Sequence, residues 1–118
     1  MMRYFESLKE NYDFRRLYRS KTSFVDPSLV LYSARGRKGK VRLGITVSKK
    51  LGGAVERNRA KRIVRAAFDM CAENIKEGTD FVIVARKKLL EMKSNEVAAV
   101  LKRKLAFAGL WCEDEADQ

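Results

Sequence analysis

The sequence has no histidine and only two cysteines among its 118 residues, and its acids form no paired-carboxylate pattern. Hydrolytic active sites in proteins usually need a general base or a cluster of metal-binding carboxylates. Cys71 and Cys112 lie far apart and belong to no C-x-x-C pair, which argues against a zinc site. These absences indicate that the chain has no catalytic residue and no metal site of its own.

Long apolar runs are also missing. No stretch approaches the roughly 18 consecutive apolar residues that a membrane span requires. The first ten residues, Met1 to Glu10, are mixed and polar and lack the apolar segment of a signal peptide. We therefore expect a cytoplasmic protein that has no membrane partner.

Acidic residues are scarce relative to basic ones. The chain has 26 lysines and arginines against 15 aspartates and glutamates, a net charge of +11 and a pI near 10.0. Such an excess of cations points to a polyanionic partner. The length and a hydrophobic share of 46% suit one domain over residues 1–118. We expect its acidic tail, at about residues 113–118, to be disordered.

The segment from Lys49 to Arg65 and its continuation predict an amphipathic helix with a cationic face. At about 100° per residue, one side collects the apolar residues Ala60, Ile63, Val64, Ala67 and Cys71. The opposite side collects Asn58, Lys61, Arg62 and Arg65, flanked by Arg57 and Arg59. Cations at these spacings repel one another unless an anion lies beside them, and only Glu56 and Asp69 are close in sequence. The face is therefore either a solvated surface or, as we favour, a phosphate-binding one.

Two further cations precede this helix. Lys49 and Lys50 follow a predicted strand, and Gly52-Gly53 reverses the chain into the helix. Cations beside the free N–H groups of a helix N-terminus form a favourable phosphate site.

Three aromatic residues form a second candidate site. Phe14 and Tyr18 lie four residues apart on a short helix predicted within Leu8–Arg19, and Tyr32 lies on a predicted strand. Aromatic rings beside cations suit single-stranded RNA, because bases stack on them with about 1–3 kcal/mol each. The alternative is that these rings only fill the core.

The remaining pattern predicts the order α-β-β-β-α-β-α, an α+β fold built as an α/β sandwich. Asn11 is the predicted cap of the first helix, Gly78 the C-cap of the central one (about Val55–Lys76), and Ser94 the N-cap of the last. The predicted strands are Thr22–Val25, Ser28–Arg35, Val41–Ser48 and Asp80–Arg86, the last fully buried and parallel to the third. Gly36–Lys40 is predicted to be a hairpin loop.

The strand Val41–Ser48 alternates between two kinds of side chain. One face carries Val41, Leu43, Ile45 and Val47 and should pack on helices. The other face carries Arg42, Gly44, Thr46 and Ser48. We expect this small, polar face to leave room for a nucleotide chain.

The run Lys49-Lys50, Gly52, Ala54-Val55, Arg57-Asn58-Arg59, Lys61-Arg62 and Arg65 resembles the signature of the protein subunit of bacterial ribonuclease P. The resemblance extends from about Leu8 to Leu105. It implies a fold like that of ribosomal protein S5 domain 2, with a left-handed βαβ crossover. General rules for such connections predict a right-handed one.

The resemblance also implies a function. The chain would bind the catalytic RNA of ribonuclease P and the 5′ leader of precursor tRNA, and would assist endonucleolytic removal of that leader. The RNA would carry the chemistry with bound Mg²⁺, and the protein alone would need neither a cofactor nor a protein partner. The alternatives are a ribosomal or other structural RNA-binding protein, and an independent metal nuclease.

Residue by residue, the resemblance assigns two sites. The RNA-binding residues are Lys49, Lys50, Arg57, Asn58, Arg59, Lys61, Arg62 and Arg65. The residues of the leader-binding cleft are Phe14, Tyr18 and Tyr32.

Overall fold

The computed structural model of the protein describes residues 5–113, which form three helices and five strands. The helices are α1 (Asn11–Arg19), α2 (Ala54–Cys71) and α3 (Ser94–Phe107). The strands are β1 (Glu6–Ser7), β2 (Ser23–Val25), β3 (Leu29–Arg35), β4 (Val41–Thr46) and β5 (Thr79–Ala85). The predicted order α-β-β-β-α-β-α is confirmed, with the two-residue strand β1 added before it.

All five strands belong to one sheet with the order β1-β4-β5-β3-β2. The central strand β5 runs parallel to β4, where Leu43 is opposite Phe81, and antiparallel to β3, where Ser33 is opposite Phe81. Phe81, Val82 and Ile83 are fully buried because both faces of this strand are covered. The predicted buried strand and the predicted parallel strand–helix–strand unit are both confirmed.

The prediction of a hairpin at Gly36–Lys40 is wrong, because β5 lies between β3 and β4. The loop instead crosses the start of β5. Gly36 N–H donates to the Gly78 carbonyl at 2.8 Å, and Gly78 N–H donates to the Lys40 carbonyl at 2.7 Å. Gly78, with a φ of 84°, belongs to this crossing and does not cap a helix as predicted.

One face of the sheet packs against α2 and α3. The predicted inner side of α2 is confirmed, since Ala60, Val64, Ala67 and Cys71 are buried and Ile63 is partly buried. Phe68 joins them, with its ring centroid 4.8 Å from that of Phe5 and 5.7 Å from that of Phe81. The other face of the sheet packs against α1, where Leu17 contacts Val82 and Leu8 in a second, smaller apolar cluster.

Helix α2 ends earlier than predicted. The helix stops at Cys71, a single 3₁₀ turn follows at Ala72–Asn74, and Ile75 pairs with Trp111 as an isolated β-bridge. Cys112 N–H donates to the Asn74 carbonyl at 2.6 Å, and the Asn74 amide donates to the Cys112 carbonyl at 2.8 Å. Trp111 and Cys112 are thereby tied to the segment that follows α2.

The predicted N-caps of the other two helices are each shifted by one residue. Asn11 is the first residue of α1, and Glu10 occupies the cap position without a side-chain hydrogen bond. Ser94 is the first residue of α3, and the preceding Lys93 donates its backbone N–H to Oε1 of Glu96 at 2.9 Å. Glu96 therefore caps the N–H of Lys93, whereas Ser94, the predicted N-cap, already lies inside the helix.

The tail predicted to be disordered lies outside the described residues, apart from Glu113. Among residues 5–113, no helix combines the length and the apolar character needed to cross a bilayer.

Candidate nucleic-acid interface

The first half of α2 presents the cationic face that its periodicity predicts. Asn58, Arg59, Arg62 and Arg65 are exposed, while Arg57 and Lys61 are partly buried at its margins. The opposite side of the same turns is closed, because Ala60 and Val64 have no solvent exposure. We call the six polar residues, Arg57, Asn58, Arg59, Lys61, Arg62 and Arg65, the α2 ridge.

The acids of the described residues do not neutralise the ridge. Within residues 5–113, no carboxylate lies within 4.0 Å of a ridge cation. The only cations that form ion pairs in this range are Arg16, Lys40 and Arg42, which lie outside the ridge. Glu56 folds back beside the glycine turn, where a Cβ on Gly52 would lie 3.0 Å from its own Cβ. The positive field of the ridge is therefore available to an external anion.

Lys49 and Lys50 occupy a single 3₁₀ turn at the start of this helix. Both are exposed, while Leu51 in the same turn is buried and fixes the turn to the core. Gly52 has a φ of 147°, a conformation that favours glycine, and it redirects the chain into α2. Gly53 caps α2 without a side-chain hydrogen bond, so the first N–H groups of the helix have no side-chain acceptor at the cap.

Phe14, Tyr18 and Tyr32 lie together between α1 and the sheet, as predicted from their positions in the sequence. The ring centroids of Phe14 and Tyr18 are 6.5 Å apart, and those of Tyr18 and Tyr32 are 5.3 Å apart, edge to face. Tyr18 is 39% exposed, and its hydroxyl bonds to the hydroxyl of Thr46. Phe14 and Tyr32 are half-buried, and both pack against the small apolar cluster of Leu8, Leu17 and Val82. We call this set the aromatic groove.

The expectation that the polar face of β4 leaves room for a nucleotide chain is wrong for the first half of the strand. Phe14 lies directly on Gly44, where an added Cβ would be 2.5 Å from the ring. Arg42 lies beneath α1 and is ion-paired. Gly44 is buried, whereas Thr46, at the far end of β4 beside the aromatic groove, is partly exposed and Ser48 beyond it is exposed. The reason is that α1 packs over β5 and β3, from where its side chains Phe14 and Asp13 reach Gly44 and Arg42 of β4.

The α2 ridge and the aromatic groove meet at one cleft. Lys61 and Arg65 of the ridge line a space of about 120 Å³ together with Phe14, Gly44 and Ile45. The two sites are far apart in sequence, and the helices that carry them, α2 and α1, lie on opposite faces of the sheet. They meet because β4 is next to the edge of the sheet, and its neighbour β1 is only two residues long.

A buried charge cluster under α1 is not evident from the sequence. Asp80 of β5 is fully buried and accepts two hydrogen bonds from Arg42, at 2.8 Å from Nε and 2.6 Å from Nη2. Arg16 of α1 bonds to Asp80 and, at 3.1 Å, to the buried Asp13. Register explains the first pair, since Arg42 and Asp80 are directly opposite each other in the sheet. We call these four residues the Asp80 cluster.

The Asp80 cluster fixes α1 to the sheet. Hydrogen bonds to Asp80 raise the pKa of Arg42, and although burial acts against it, bonds to Asp80 and Asp13 raise that of Arg16. Both guanidinium groups thus stay charged. Arg16 also donates to the Arg35 carbonyl at 3.0 Å, so α1 is held to three strands. Position 36, next to the cluster, must be glycine, because a Cβ there would lie 2.3 Å from Oδ1 of Asp80.

Among residues 5–113, no group of three metal-ligating side chains is close enough to hold a metal ion. The two carboxylates that do lie close together, Asp13 and Asp80, are both bound by guanidinium groups. The exposed cations of the α2 ridge and the partly exposed rings of the aromatic groove have the chemistry to contact phosphates and bases.

Comparison with known proteins gives a consistent result. The chain matches the family "Ribonuclease P" over residues 2–108. It is 37% identical over 108 residues to the "Ribonuclease P protein component" of Clostridium novyi (strain NT), covering 90% of this chain and 96% of that protein. It is 36% identical over 104 residues to the protein of the same name from an Exiguobacterium species, covering 88% and 90%.

Solved structures agree with the sequence matches. The RNase P protein of Staphylococcus aureus superposes with a TM-score of 0.72 at 32% identity, covering 89% of this chain and 96% of that one. The RNase P protein from Thermotoga maritima superposes with a TM-score of 0.71 at 32% identity, covering 81% and 91%.

Proposed function

Because this chain belongs to the ribonuclease P protein family and is thus a protein component in tRNA 5′-end processing, we propose that it holds two RNAs side by side. The α2 ridge, with Lys49 and Lys50, binds the catalytic RNA. The aromatic groove binds the 5′ leader of precursor tRNA. The observation that carries this proposal is the cleft where Lys61 and Arg65 face Phe14.

The ridge suits a structured RNA. Its arginines are spaced along one helix face and lack acidic partners among the described residues, and arginine forks match phosphate geometry. Asn58 adds a neutral donor and acceptor within the same row. A rigid helix offers these groups at fixed spacing, as a folded phosphate backbone requires.

The aromatic groove suits a single strand. Tyr18 and Tyr32 stand edge to face, with ring centroids 5.3 Å apart, and Tyr18 is 39% exposed and thus open to a nucleotide. Base stacking on such rings contributes about 1–3 kcal/mol per base and tolerates any sequence. Leaders of precursor tRNAs can then differ in sequence and still bind.

The division of labour follows from the residues present. The chain has no histidine, and among residues 5–113 the buried carboxylates Asp13 and Asp80 are held by arginines, so neither is free to act as a general base. We place the cleavage chemistry in the RNA subunit, where Mg²⁺ would activate and stabilise the attacking oxygen. Binding the leader next to that RNA is the contribution of this chain. It acts in the cytoplasm and needs no protein partner.

The test is cleavage of precursor tRNA at low Mg²⁺ by the cognate RNA, with and without this chain. We expect cleavage with both components, little cleavage by the RNA alone, and none by the protein alone with Mg²⁺. Cleavage by RNA-free protein would overturn the assignment of chemistry to the RNA. Equal cleavage with and without the chain would overturn its role in holding the substrate.

A further inference from the structure

Helix α1 has an outer face that neither the ridge nor the groove uses. Tyr12, Arg15 and Arg19 follow one another at three- and four-residue spacing on the side away from the sheet. Tyr12 is 58% exposed, more than Tyr18 in the groove, and both arginines are exposed. On the opposite side of the helix Leu17 has no exposure. We call Tyr12, Arg15 and Arg19 the α1 outer stripe.

The outer stripe has no acidic partner in the part of the chain that the structure describes. Arg16 lies next to it but is turned toward Asp80 and Asp13. Arg15 and Arg19 have no carboxylate within 4.0 Å among residues 5–113. With Tyr12 and Arg16 they line a shallow depression of about 340 Å³. The stripe thus combines an accessible ring, two free cations and a concave surface.

We propose that the α1 outer stripe binds the 5′-distal part of the precursor tRNA leader, beyond the nucleotides held in the aromatic groove. This inference rests on the proposed function of the groove. An aromatic ring flanked by arginines can bind single-stranded RNA, because a base stacks on the ring and the arginines contact phosphates. Helical RNA buries the faces of its bases and cannot stack on Tyr12 in the same way.

The position of the stripe favours the leader over the catalytic RNA. Helix α1 is itself the wall of the groove, since Phe14 and Tyr18 project from its inner side. A strand that leaves the groove past Tyr18 has only to cross the width of one helix, about 10–12 Å with side chains, to reach Arg15 and Arg19. The α2 ridge lies across the sheet edge from this surface, next to Ile45 and Gly44.

The test compares precursor tRNAs whose leaders differ in length, bound to the assembled complex of the chain and its RNA. The first variant is Arg15→Ala combined with Arg19→Ala. The control is Lys102→Ala combined with Arg103→Ala, which removes the same charge from α3 on the opposite face of the sheet. Thermal unfolding of each variant establishes that α1 remains folded.

We expect the wild-type complex to bind a long leader more tightly than a short one that ends in the groove. The α1 double variant should lose this gain and bind the short leader normally. Its log–log salt slope for the long leader should fall by about 1.4, at about 0.7 per single-strand contact. Tyr12→Ala should reduce long-leader affinity about fivefold or more, and Tyr12→Phe should restore it.

Other outcomes overturn the inference. Equal losses for short and long leaders, or weaker assembly with the catalytic RNA, would place the stripe on a different RNA. No change in any affinity would leave it a solvated helix face. The groove is tested separately, because Tyr32→Ala should weaken binding of the short leader whatever the stripe does.

Discussion

Replacing Asp80 by asparagine should lower the free energy of unfolding and weaken binding at the leader site. The side chain keeps its shape, but Arg42 and Arg16 lose the nearer of their two carboxylates and keep only Asp13, at 3.6 Å and 3.1 Å. Removing one partner of a buried ion pair costs about 3–5 kcal/mol, because the remaining charge stays buried. Arg16 is 37% exposed at its side chain and is partly screened by water, so we expect a value near the lower end of that range.

Urea unfolding measures this effect. A loss of about 3 kcal/mol is a large share of the 5–15 kcal/mol that holds a typical domain together. The midpoint should fall while the m-value stays constant, since the surface exposed on unfolding is unchanged. Because Asp80 holds α1 to β4 and β5, affinity for leader-bearing substrate should fall as well, with Phe14 and Tyr18 less firmly placed.

Two comparisons make the result specific. Asp80→Leu combined with Arg42→Met replaces the pair by apolar groups and should recover part of the stability, because no charge is left unpaired at that pair. Glu6→Gln removes an exposed ion pair, 2.8 Å from Lys40, and should leave the urea midpoint almost unchanged. If Asp80→Asn proved as mild as Glu6→Gln, the cluster would not be what fixes α1.

Three further predictions concern separate parts of the molecule. Arg62→Ala should weaken assembly with the catalytic RNA and lower its log–log salt slope by about 0.7–0.9, whereas Arg103→Ala on α3 should change neither; an unaltered slope for Arg62→Ala would remove the ridge from the interface. Tyr32→Ala should weaken binding of leader-bearing precursor by about 1–3 kcal/mol and leave binding of leaderless tRNA unchanged, as a filter-binding assay can show. Burial raises the pKa of the Cys71 thiol to about 11, so at neutral pH only Cys112 should react with iodoacetamide in the native protein. Since the folded protein holds the Cys71 proton more tightly than the unfolded chain, stability should be fully present below pH 9 and should fall by up to roughly 2–3 kcal/mol toward pH 11. The variant Cys71→Ala should lack that part of the alkaline loss in urea titrations.

The features that were predictable are those with a local period. The apolar positions of α2 recur every three or four residues, so the buried side with Ala60 and Val64 and the exposed side with Arg62 and Arg65 follow from spacing alone. The continuous apolar run of β5 similarly predicted a strand covered on both faces. The grouping of Phe14 with Tyr18 also follows from one helical turn.

The features that were not predictable depend on distant pairings. The hairpin at Gly36–Lys40 was a reasonable prediction from two adjacent strands, but β5 enters between them from more than 30 residues further along. In the Asp80 cluster, Arg42 and Asp80 are 38 positions apart in sequence, and Arg16 and Asp80 are 64 positions apart. Only the register of the finished sheet brings Arg42 opposite Asp80. The cleft between Phe14 and Lys61 likewise depends on the shortness of β1 at the sheet edge.

The central place of β5 has a consequence for biosynthesis. While the ribosome is still making the chain up to residue 78, β3 and β4 each lack the neighbour that will lie between them. The nascent polypeptide can pair β2 with β3 and β1 with β4, but these two halves stay unjoined until Thr79–Ala85 has left the exit tunnel. The sheet is therefore completed late in translation and in one step, because its central strand β5 is translated after the strands β3 and β4 that it joins.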